Sequence, residues 1–244
     1  MQDFTNFTPN SRQPGVMARS AAGSEALFFQ KVYTWMFAGL ALTALASYVL
    51  AHSATFIMFL VNNSWAIWVG FACQLGLVFF LSARIQHMTP AAAKGIFLAY
   101  SALTGACLSP ILLVYTGAAF IKAFVCTAGI YGAMAVYGLV TKRSLQAWGS
   151  FLFMGLIGLI IASVVNWFTR STMMEMAICV IGVFIFAGLT AYDHQKLRVI
   201  FGTALQDSDE DEVSRVVVLG ALNLYLDFIN IFLFLLRLFG SARD

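Results

Sequence analysis

Hydrophobic positions along the chain are gathered into seven long runs that are separated by short polar connections. Each run is close to the length of about 20 predominantly apolar residues that a helix needs to cross a lipid bilayer. The runs cover residues 32–51, 65–83, 95–115, 118–140, 148–168, 175–197 and 216–239. This pattern predicts an all-α integral membrane protein, built as a bundle of seven transmembrane helices.

The seven runs leave little of the chain for any other domain. We divide it into a polar N-terminal tail (residues 1–30), the membrane domain (31–240) and a short C-terminal tail (241–244). Pro110 lies deep within the third run and predicts a kink there, because proline removes a backbone donor. Small residues inside the runs predict close contacts between helices. They are Gly129 with Gly132, Gly155 with Gly158, and Ser101 with Thr104 and Gly105.

Composition excludes a water-soluble protein. The chain is 61% hydrophobic and only 10% charged, whereas soluble domains have about a quarter charged residues. Its net charge of +3 is not gathered into a basic stripe, so we expect no nucleic-acid partner. All four cysteines lie within apolar runs, where cysteine usually behaves as a small buried hydrophobe. The lipid bilayer is therefore the first predicted partner.

The basic residues predict how the bundle is oriented. With the N-terminus in the cytoplasm, ten of the 14 Lys and Arg residues fall on the cytoplasmic side, as the positive-inside rule requires. The four that fall outside are Lys122, Arg170, Arg237 and Arg243. A re-entrant last segment would return the C-terminal tail to the cytoplasm and remains an alternative. We favour seven complete spans.

Acidic residues within the runs are the strongest functional signal. Of the eleven Asp and Glu residues, only Asp193 and Asp227 lie inside predicted spans. A charge at mid-membrane costs at least about 2.5 to 3.5 kcal/mol on insertion scales, so such residues usually face the bundle interior and mark a pathway. These two aspartates are therefore the leading candidates for the functional site.

Polar residues accompany each aspartate on its helix. Asn223 and Asn230 share the helical face of Asp227 and form a polar stripe that we expect to point inward. Thr190 lies one turn before Asp193. These three are candidate pore-facing residues. His194 follows Asp193 and could tune it, although its position near a predicted membrane edge favours an interfacial side chain.

The two carboxylates could meet, because successive antiparallel spans carry them. Counting from Arg198 and Arg215, Asp193 lies about 10 Å shallower than Asp227, so helix tilt or a cytoplasmic extension of the last helix would have to close the gap. Two carboxylates in a low-dielectric site would share a proton and titrate as a coupled pair. Such a pair would sense pH. The alternative is that each aspartate separately satisfies a backbone group or a helix end.

Two segments carry a family resemblance. GLTAYDHQKL at 188–197 and LYLDFINIFLFLLRLFG at 224–240 resemble the signature segments of the Bax inhibitor (transmembrane Bax-inhibitor-motif) family, and YSALTGACLS at 100–109 and TKRSL at 141–145 resemble its bacterial members. The resemblance covers essentially all seven spans. It implies a bundle with the last helix central, in the plasma (inner) membrane of a bacterium.

The same resemblance implies a function. Characterised members conduct a pH-sensitive calcium leak gated by a pair of aspartates, and Asp193 and Asp227 occupy those motif positions, where they would also be the calcium ligands. In these members an arginine at the cytoplasmic end of the second span binds the first aspartate in the closed state, as a latch. Arg84 is the nearest candidate for this latch here. Some members have an acid midway along that span, where this chain has Cys73 and Gln74, which weakens any second calcium ligand there.

Three functions are therefore weighed. The leading hypothesis is a cation leak channel with calcium or another cation as the permeant ion and no other cofactor. The second is a protein that modulates a membrane protease or survival pathway through a protein partner, without conducting ions. The third is an intramembrane aspartyl protease, since Tyr192 and Asp193 form that class's YD pair. Its GxGD partner motif is missing, because Leu224-Tyr225-Leu226 precedes Asp227, so we expect no enzyme.

Overall fold

In a computed structural model, which describes residues 14–205 and 208–240, the seven predicted spans are confirmed as membrane-length helices. The helices are α1 (Pro14–Ala51), α2 (Ala54–Asn62), α3 (Trp65–Arg84), α4 (Pro90–Leu108), α5 (Ile111–Val114), α6 (Gly117–Val140), α7 (Gln146–Thr169), α8 (Thr172–Ala204) and α9 (Glu210–Phe239). α2 links the first two spans, and a 3₁₀ turn at Ile85–His87 extends α3. α4 and α5 together make the third span.

The N-terminal helix is longer than the sequence pattern predicts. α1 begins at Pro14, so it takes in the second half of the predicted 1–30 tail. Proline is well tolerated in the first turn of a helix, and the alanine-rich stretch that follows favours helix. The first half of that tail and the predicted C-terminal tail, 241–244, lie outside the described residues.

Hydroxyl side chains set where several of the helices begin. Ser53, Thr89, Thr116 and Ser171 each accept a hydrogen bond from a backbone N–H in the first turn of α2, α4, α6 and α8. Such caps satisfy donors that have no partner within the helix. The kink predicted at Pro110 is also confirmed, because α4 ends at Leu108 and the short α5 resumes at Ile111.

The last helix occupies the centre of the bundle. α9 packs against α1, α4, α6 and α8, whereas α3 packs mainly on α4 and α7 mainly on α8. α9 is accordingly the most buried span, and α3 and α7 are the least buried. We call the end of the bundle that carries Arg84, Arg143, Arg198 and Arg215 the basic end. It is the predicted cytoplasmic end.

α9 crosses the whole bundle. It runs without interruption from Glu210 at the basic end to Phe239, and Gly240 then packs on Tyr115, which follows α5 at the opposite end. The last segment is therefore a complete span rather than a re-entrant one.

Two hydrophobic cores lie one above the other along α9. The basic-end core includes Phe28, Val32, Leu81, Phe97, Leu197 and Val218. The opposite-end core includes Ala123, Leu159, Ile185, Phe186, Ile231 and Leu235. Asp227 lies at the junction, since its neighbour Phe228 belongs to the first core and Ile231 to the second.

Glycines allow close helix contacts, but only some of those that the sequence indicates. Gly105 packs against the α1 backbone at Thr43, as predicted. Gly155 is close to Ile185, while Gly129, Gly132 and Gly158 face open space, so the contacts predicted for these three were wrong. Among the described glycines, the closest approach to the backbone of another helix is instead at Gly138 of α6, where any side chain would collide with the backbone of Ala191 in α8.

Candidate functional site

The pairing of α8 with α9 decides whether the two aspartates meet. Leu197 packs on Gly220 and Phe234 packs on Gly182, and these contacts set Thr190 opposite Asp227. Asp193 lies one turn nearer the basic end, level with Asn223. In this register Arg215 lies about 6 Å further toward the basic end than Arg198 does, at 1.5 Å per residue. The extension of α9 therefore closes about half of the gap of about 10 Å expected from the sequence.

The structure brings Asp193 and Asp227 together as electrostatic neighbours. Asp227 is only 4% exposed, while Asp193 is half-buried. Because both lie in a region of low dielectric, ionising one carboxyl makes it harder to ionise the other.

A buried oxygen of Asp227 has no hydrogen-bond partner among the described residues. Asp227 Oδ2 is buried and accepts no hydrogen bond from any described residue. The Thr190 hydroxyl lies beside this carboxyl, but it donates to the carbonyl of Phe186 at 2.8 Å. Buried polar atoms without a partner are rare in folded proteins, so this one requires an explanation.

Asp193 faces a more polar environment. Lys196, one turn further along α8, is close enough to act on the Asp193 carboxylate. The Lys196 ammonium also lies 6.0 Å from the centre of the Tyr192 ring, which packs directly on Gly149 of α7. The shallower carboxylate therefore has a cation nearby, whereas no Lys or Arg of the described residues acts on the deeper one.

The basic end of α8 is anchored to the neighbouring loop and helices. Gln195 accepts a hydrogen bond from Leu145 N at 2.7 Å and donates to Arg143 O at 2.8 Å. Arg198 donates to Leu139 O at 2.5 Å and forms an ion pair with Glu25 at 3.0 Å. These contacts tie α8 to the α6–α7 loop, to the end of α6 and to α1.

His194 is a site residue that the sequence interpretation misplaced. It is fully buried rather than interfacial. Its ring centroid lies 6.5 Å from that of Phe29, 5.8 Å from Tyr33 and 5.6 Å from Tyr131. His194 Nδ1 is 2.6 Å from Thr190 O, while its buried Nε2 has no partner among the described residues.

Helical spacing was the signal that could have found His194. It lies four residues after Thr190 and three before Leu197, so all three share the buried face of α8. The aromatic ring of Tyr131 that packs on it also contacts Phe228 of α9, with ring centroids 5.5 Å apart. The wall of the site is therefore aromatic, and α1, α6 and α9 all contribute to it.

A second buried polar group on α9, the Tyr225 hydroxyl, has a hydrogen-bond partner in Thr43 of α1. The Thr43 hydroxyl lies 2.9 Å from the carbonyls of Gly39 and Ser101 and 2.6 Å from the Tyr225 hydroxyl. Because its proton goes to a carbonyl, Tyr225 is the donor in the last of these bonds. On the next turn of α1, Ser47 donates to Gly105 O at 2.8 Å. We call Thr43, Ser47, Ser101 and Tyr225 the Thr43 network.

The remaining candidate residues have different surroundings. Asn223 and Asn230 are half-buried, and Asn230 donates to Leu226 O of its own helix at 2.8 Å. Arg84 is exposed at the end of α3, and within residues 14–205 and 208–240 it pairs with neither aspartate. Its latch role stays a prediction.

The site offers few ligands for a tightly bound metal. In the part of the chain that the structure describes, no three His, Cys, Asp or Glu residues are grouped as a metal site would require. Calcium takes six to eight oxygen ligands, so Asp193 and Asp227 would supply only some of them.

Comparison with known proteins decides the family. The family model described as "Inhibitor of apoptosis-promoting Bax1" matches residues 25–244. The chain belongs to the Bax inhibitor family. This confirms the resemblance found in the α8 and α9 segments.

Relatives of this Bax inhibitor family protein come from several bacteria. Inner membrane protein YbhL of Escherichia coli strain K12 is 45% identical over 216 residues, covering 88% of this chain and 92% of YbhL. An uncharacterized protein of Deinococcus radiodurans is 44% identical, covering 89% and 91%. One of Borreliella burgdorferi is 41% identical, covering 89% and 93%. With its seven spans, the chain is a multi-pass protein of the bacterial inner membrane.

Proposed function

We propose that this protein is a pH-sensitive cation leak channel, with calcium as the permeant ion, gated by Asp193 and Asp227. One observation carries the proposal. A deeply buried carboxyl with an unpartnered oxygen lies beside a second, half-buried carboxyl. Intramembrane carboxylates arranged in this way mark ion or proton pathways.

The surroundings of the pair support a closed resting state. On one side of Asp227 lies the opposite-end core, where Ile231 and Leu235 of α9 are buried. On the other lies the basic-end core, with Leu197 and Val218. A hydrated cation cannot cross such apolar packing, so conduction requires α8 and α9 to move relative to each other.

A shared proton explains how pH would control that movement. While one proton is shared, the carboxyls attract each other and hold α8 against α9. Once it leaves, two negative charges repel at close range and both favour water or a cation. Raising the pH should therefore open the path. Thr190 and Asn223, which lie near the two carboxyls, would supply further oxygen ligands to a passing ion.

We propose that the chain is not an enzyme, because the sequence before Asp227 lacks the GxGD motif of the intramembrane aspartyl proteases. Regulation of a membrane protease or survival pathway through a protein partner is the remaining alternative. It requires no conduction, so flux through the purified protein separates it from the channel hypothesis.

Calcium flux into liposomes that contain only this protein tests the proposal. We expect flux to rise from pH 5 to pH 8 in the parent and to lose most of that pH response in the Asp193→Asn/Asp227→Asn double mutant. Glu175→Gln, which changes an exposed acid at the far end of α8, is the matched control. A pH response that survives unchanged in the double mutant would refute the gating role. No flux in any variant at any pH would favour the partner-dependent alternative.

A further inference from the structure

We propose that this protein binds one acyl chain of a membrane phospholipid in a cavity between α1 and α6, in the half of the bundle away from the basic end. The cavity has a volume of about 390 Å³, within the range of about 300 to 1,000 Å³ that is usual for small-molecule sites. We call it the α1–α6 cavity. Its lining includes Leu40, Ala44, Phe120, Phe124, Ile229 and Phe232. Lipid binding there requires no conduction, so it is independent of the proposed function.

The cavity lies where α1 and α6 stand apart. Both helices pack on α9, and toward the basic end they also touch each other, since the Tyr131 hydroxyl donates to Met36 Sδ at 3.2 Å. Further from the basic end, from Leu40 to Tyr48 of α1, the cavity instead separates α1 from α6. The second half of α9 forms its floor. The central helix is therefore uncovered on this side of the bundle.

The cavity is continuous with the surface that faces the bilayer. Three of its lining residues are large and well exposed: Tyr48 of α1 is 61% exposed, and Ile121 and Phe124 of α6 are 67% and 55% exposed. All three lie within membrane-length helices, at depths where the surrounding medium is hydrocarbon. A lipid chain can thus enter the cavity from the side without leaving the membrane.

The lining favours hydrocarbon over water. Thr43 and Ser47 contribute hydroxyl groups to the cavity wall, but both donate to backbone carbonyls, Thr43 within 2.9 Å of Ser101 O and Ser47 at 2.8 Å from Gly105 O. A buried water needs about two to four polar partners, and the rest of the deep lining is aliphatic or aromatic. Because protein interiors are close-packed, an apolar space of this size in a membrane is best filled by an apolar chain.

The dimensions match one chain of one leaflet. Leu40 and Tyr48 are eight residues apart on α1, or about 12 Å at 1.5 Å per residue. One leaflet contributes about half of the hydrocarbon thickness of about 30 Å. Tyr48 lies near the end of α1 with its ring 4.3 Å from that of His52, and such amphipathic rings suit the headgroup level. The headgroup would therefore lie near Tyr48, in the predicted outer leaflet, and the chain would run toward Leu40.

Aromatic pairs between α6 and α9 form the wall that the chain would contact. The ring centroids of Phe124 and Phe228 are 5.9 Å apart, as are those of Phe120 and Phe232. Phe228 lines the cavity and directly follows Asp227. A bound chain would therefore cover α9 beside the aspartate site and join α1 to α6 across the gap.

Photochemical labelling of the full-length protein in liposomes tests the proposal. The probe is a phosphatidylethanolamine with a diazirine midway along one acyl chain, and adducts are mapped by mass spectrometry of peptides. We expect adducts on residues 229–233 of α9 in the parent. Because α9 is the central helix, adducts there report a chain inside the cavity rather than on the outer surface of the bundle.

A filled cavity provides the decisive variant. Ala44 is exposed and lines the cavity, so Ala44→Phe should lower the yield of α9 adducts several-fold, and Ala44→Leu should lower it less. If Ala44→Phe does not fold, Ala44→Leu alone decides. Gly158→Phe is the matched control, because it adds the same bulk in open space in a different groove, between α7 and α8. It should leave α9 labelling unchanged.

Two outcomes would overturn the proposal. Absence of α9 adducts in the parent would show that water or a protein segment, and not a lipid chain, fills the cavity. Equal loss of α9 adducts in Ala44→Phe and Gly158→Phe, or no loss in either folded Ala44 variant, would show that the labelling does not arise from the cavity.

Discussion

Tyr225 and Asp227 are two residues apart on the same buried helix, yet the Tyr225 hydroxyl is hydrogen-bonded and one oxygen of Asp227 is not. The Tyr225 hydroxyl donates to Thr43 at 2.6 Å, and Thr43 is bonded in turn to α4. Asp227 Oδ2 has no partner in the described chain. A saturated polar group holds one arrangement of helices, whereas an unsaturated one is ready to bind something else.

The difference between Tyr225 and Asp227 follows from whether the buried group changes its charge. A buried neutral hydroxyl that is fully bonded contributes about 0.5 to 1.5 kcal/mol to stability and fixes the register of α1, α4 and α9. A buried carboxyl changes its charge when it gains or loses a proton, so its best surroundings differ between the two states. No single set of neighbours suits both the protonated and the ionised carboxyl. This accounts for the unpaired Oδ2 of Asp227.

Substituting the aspartates should have the largest effect on calcium flux and on its pH response. Asp227→Asn keeps the shape of the side chain but cannot share a proton, so flux should fall several-fold and lose most of its pH response. Asp193→Asn should impair gating with a different residual flux, since this carboxyl is half-buried. The two effects should not add, because the residues act as one unit. Additive effects in the proteoliposome assay would show that the aspartates act separately.

Gly138→Ala should have the next largest effect. Its new methyl group would meet the backbone of Ala191, two residues before Asp193, and push α8 away. We expect a loss of about 1 to 3 kcal/mol in stability, as for other overpacked sites, and a raised leak at pH 5. Gly132→Ala on the same helix meets open space and is the control. Equal thermal stability of the two variants in detergent would argue against the tight α6–α8 contact.

The Thr43 network should affect stability without affecting pH sensing. Thr43→Val and Tyr225→Phe should each lower the free energy of unfolding by about 0.5 to 1.5 kcal/mol. The double mutant should lose less than the sum, because the two changes remove one shared bond. The pH response of calcium flux should match that of the parent. A shifted response would mean that the saturated network also takes part in gating.

Arg84→Ala should have the smallest effect. If Arg84 latches Asp193 in the closed state, its removal raises the leak at acidic pH. Because Arg84 is exposed at the end of α3, we expect only a modest rise relative to Lys142→Ala, an exposed control at the same end. An unchanged leak would remove Arg84 from the mechanism and leave the aspartates untouched.

The sequence predicted the spans and the two aspartates because both depend on local properties. Seven apolar runs are visible without knowledge of any contact, and an acid inside such a run is conspicuous at once. The helix break at Pro110 has the same local origin, since proline cannot donate a backbone hydrogen bond. The centrality of α9, in contrast, came from family resemblance and not from the pattern.

The missed features depend on contacts between distant parts of the chain. His194 is buried because Phe29 and Tyr33 of α1 lie over it, and α1 continues through a region predicted as tail. The bond from Tyr225 to Thr43 joins residues 182 positions apart. Which glycines meet another helix depends on helix rotation, so Gly138 could not be told from Gly132 by spacing alone.

Gln195 lies two residues after Asp193 and is bonded to the α6–α7 loop through Leu145 and Arg143. Any rotation of α8 that displaces the Asp193 carboxyl must therefore break both bonds or drag that loop along. A group that binds this loop at the basic end of the protein would therefore shift α8, and with it the aspartate pair, without entering the bundle.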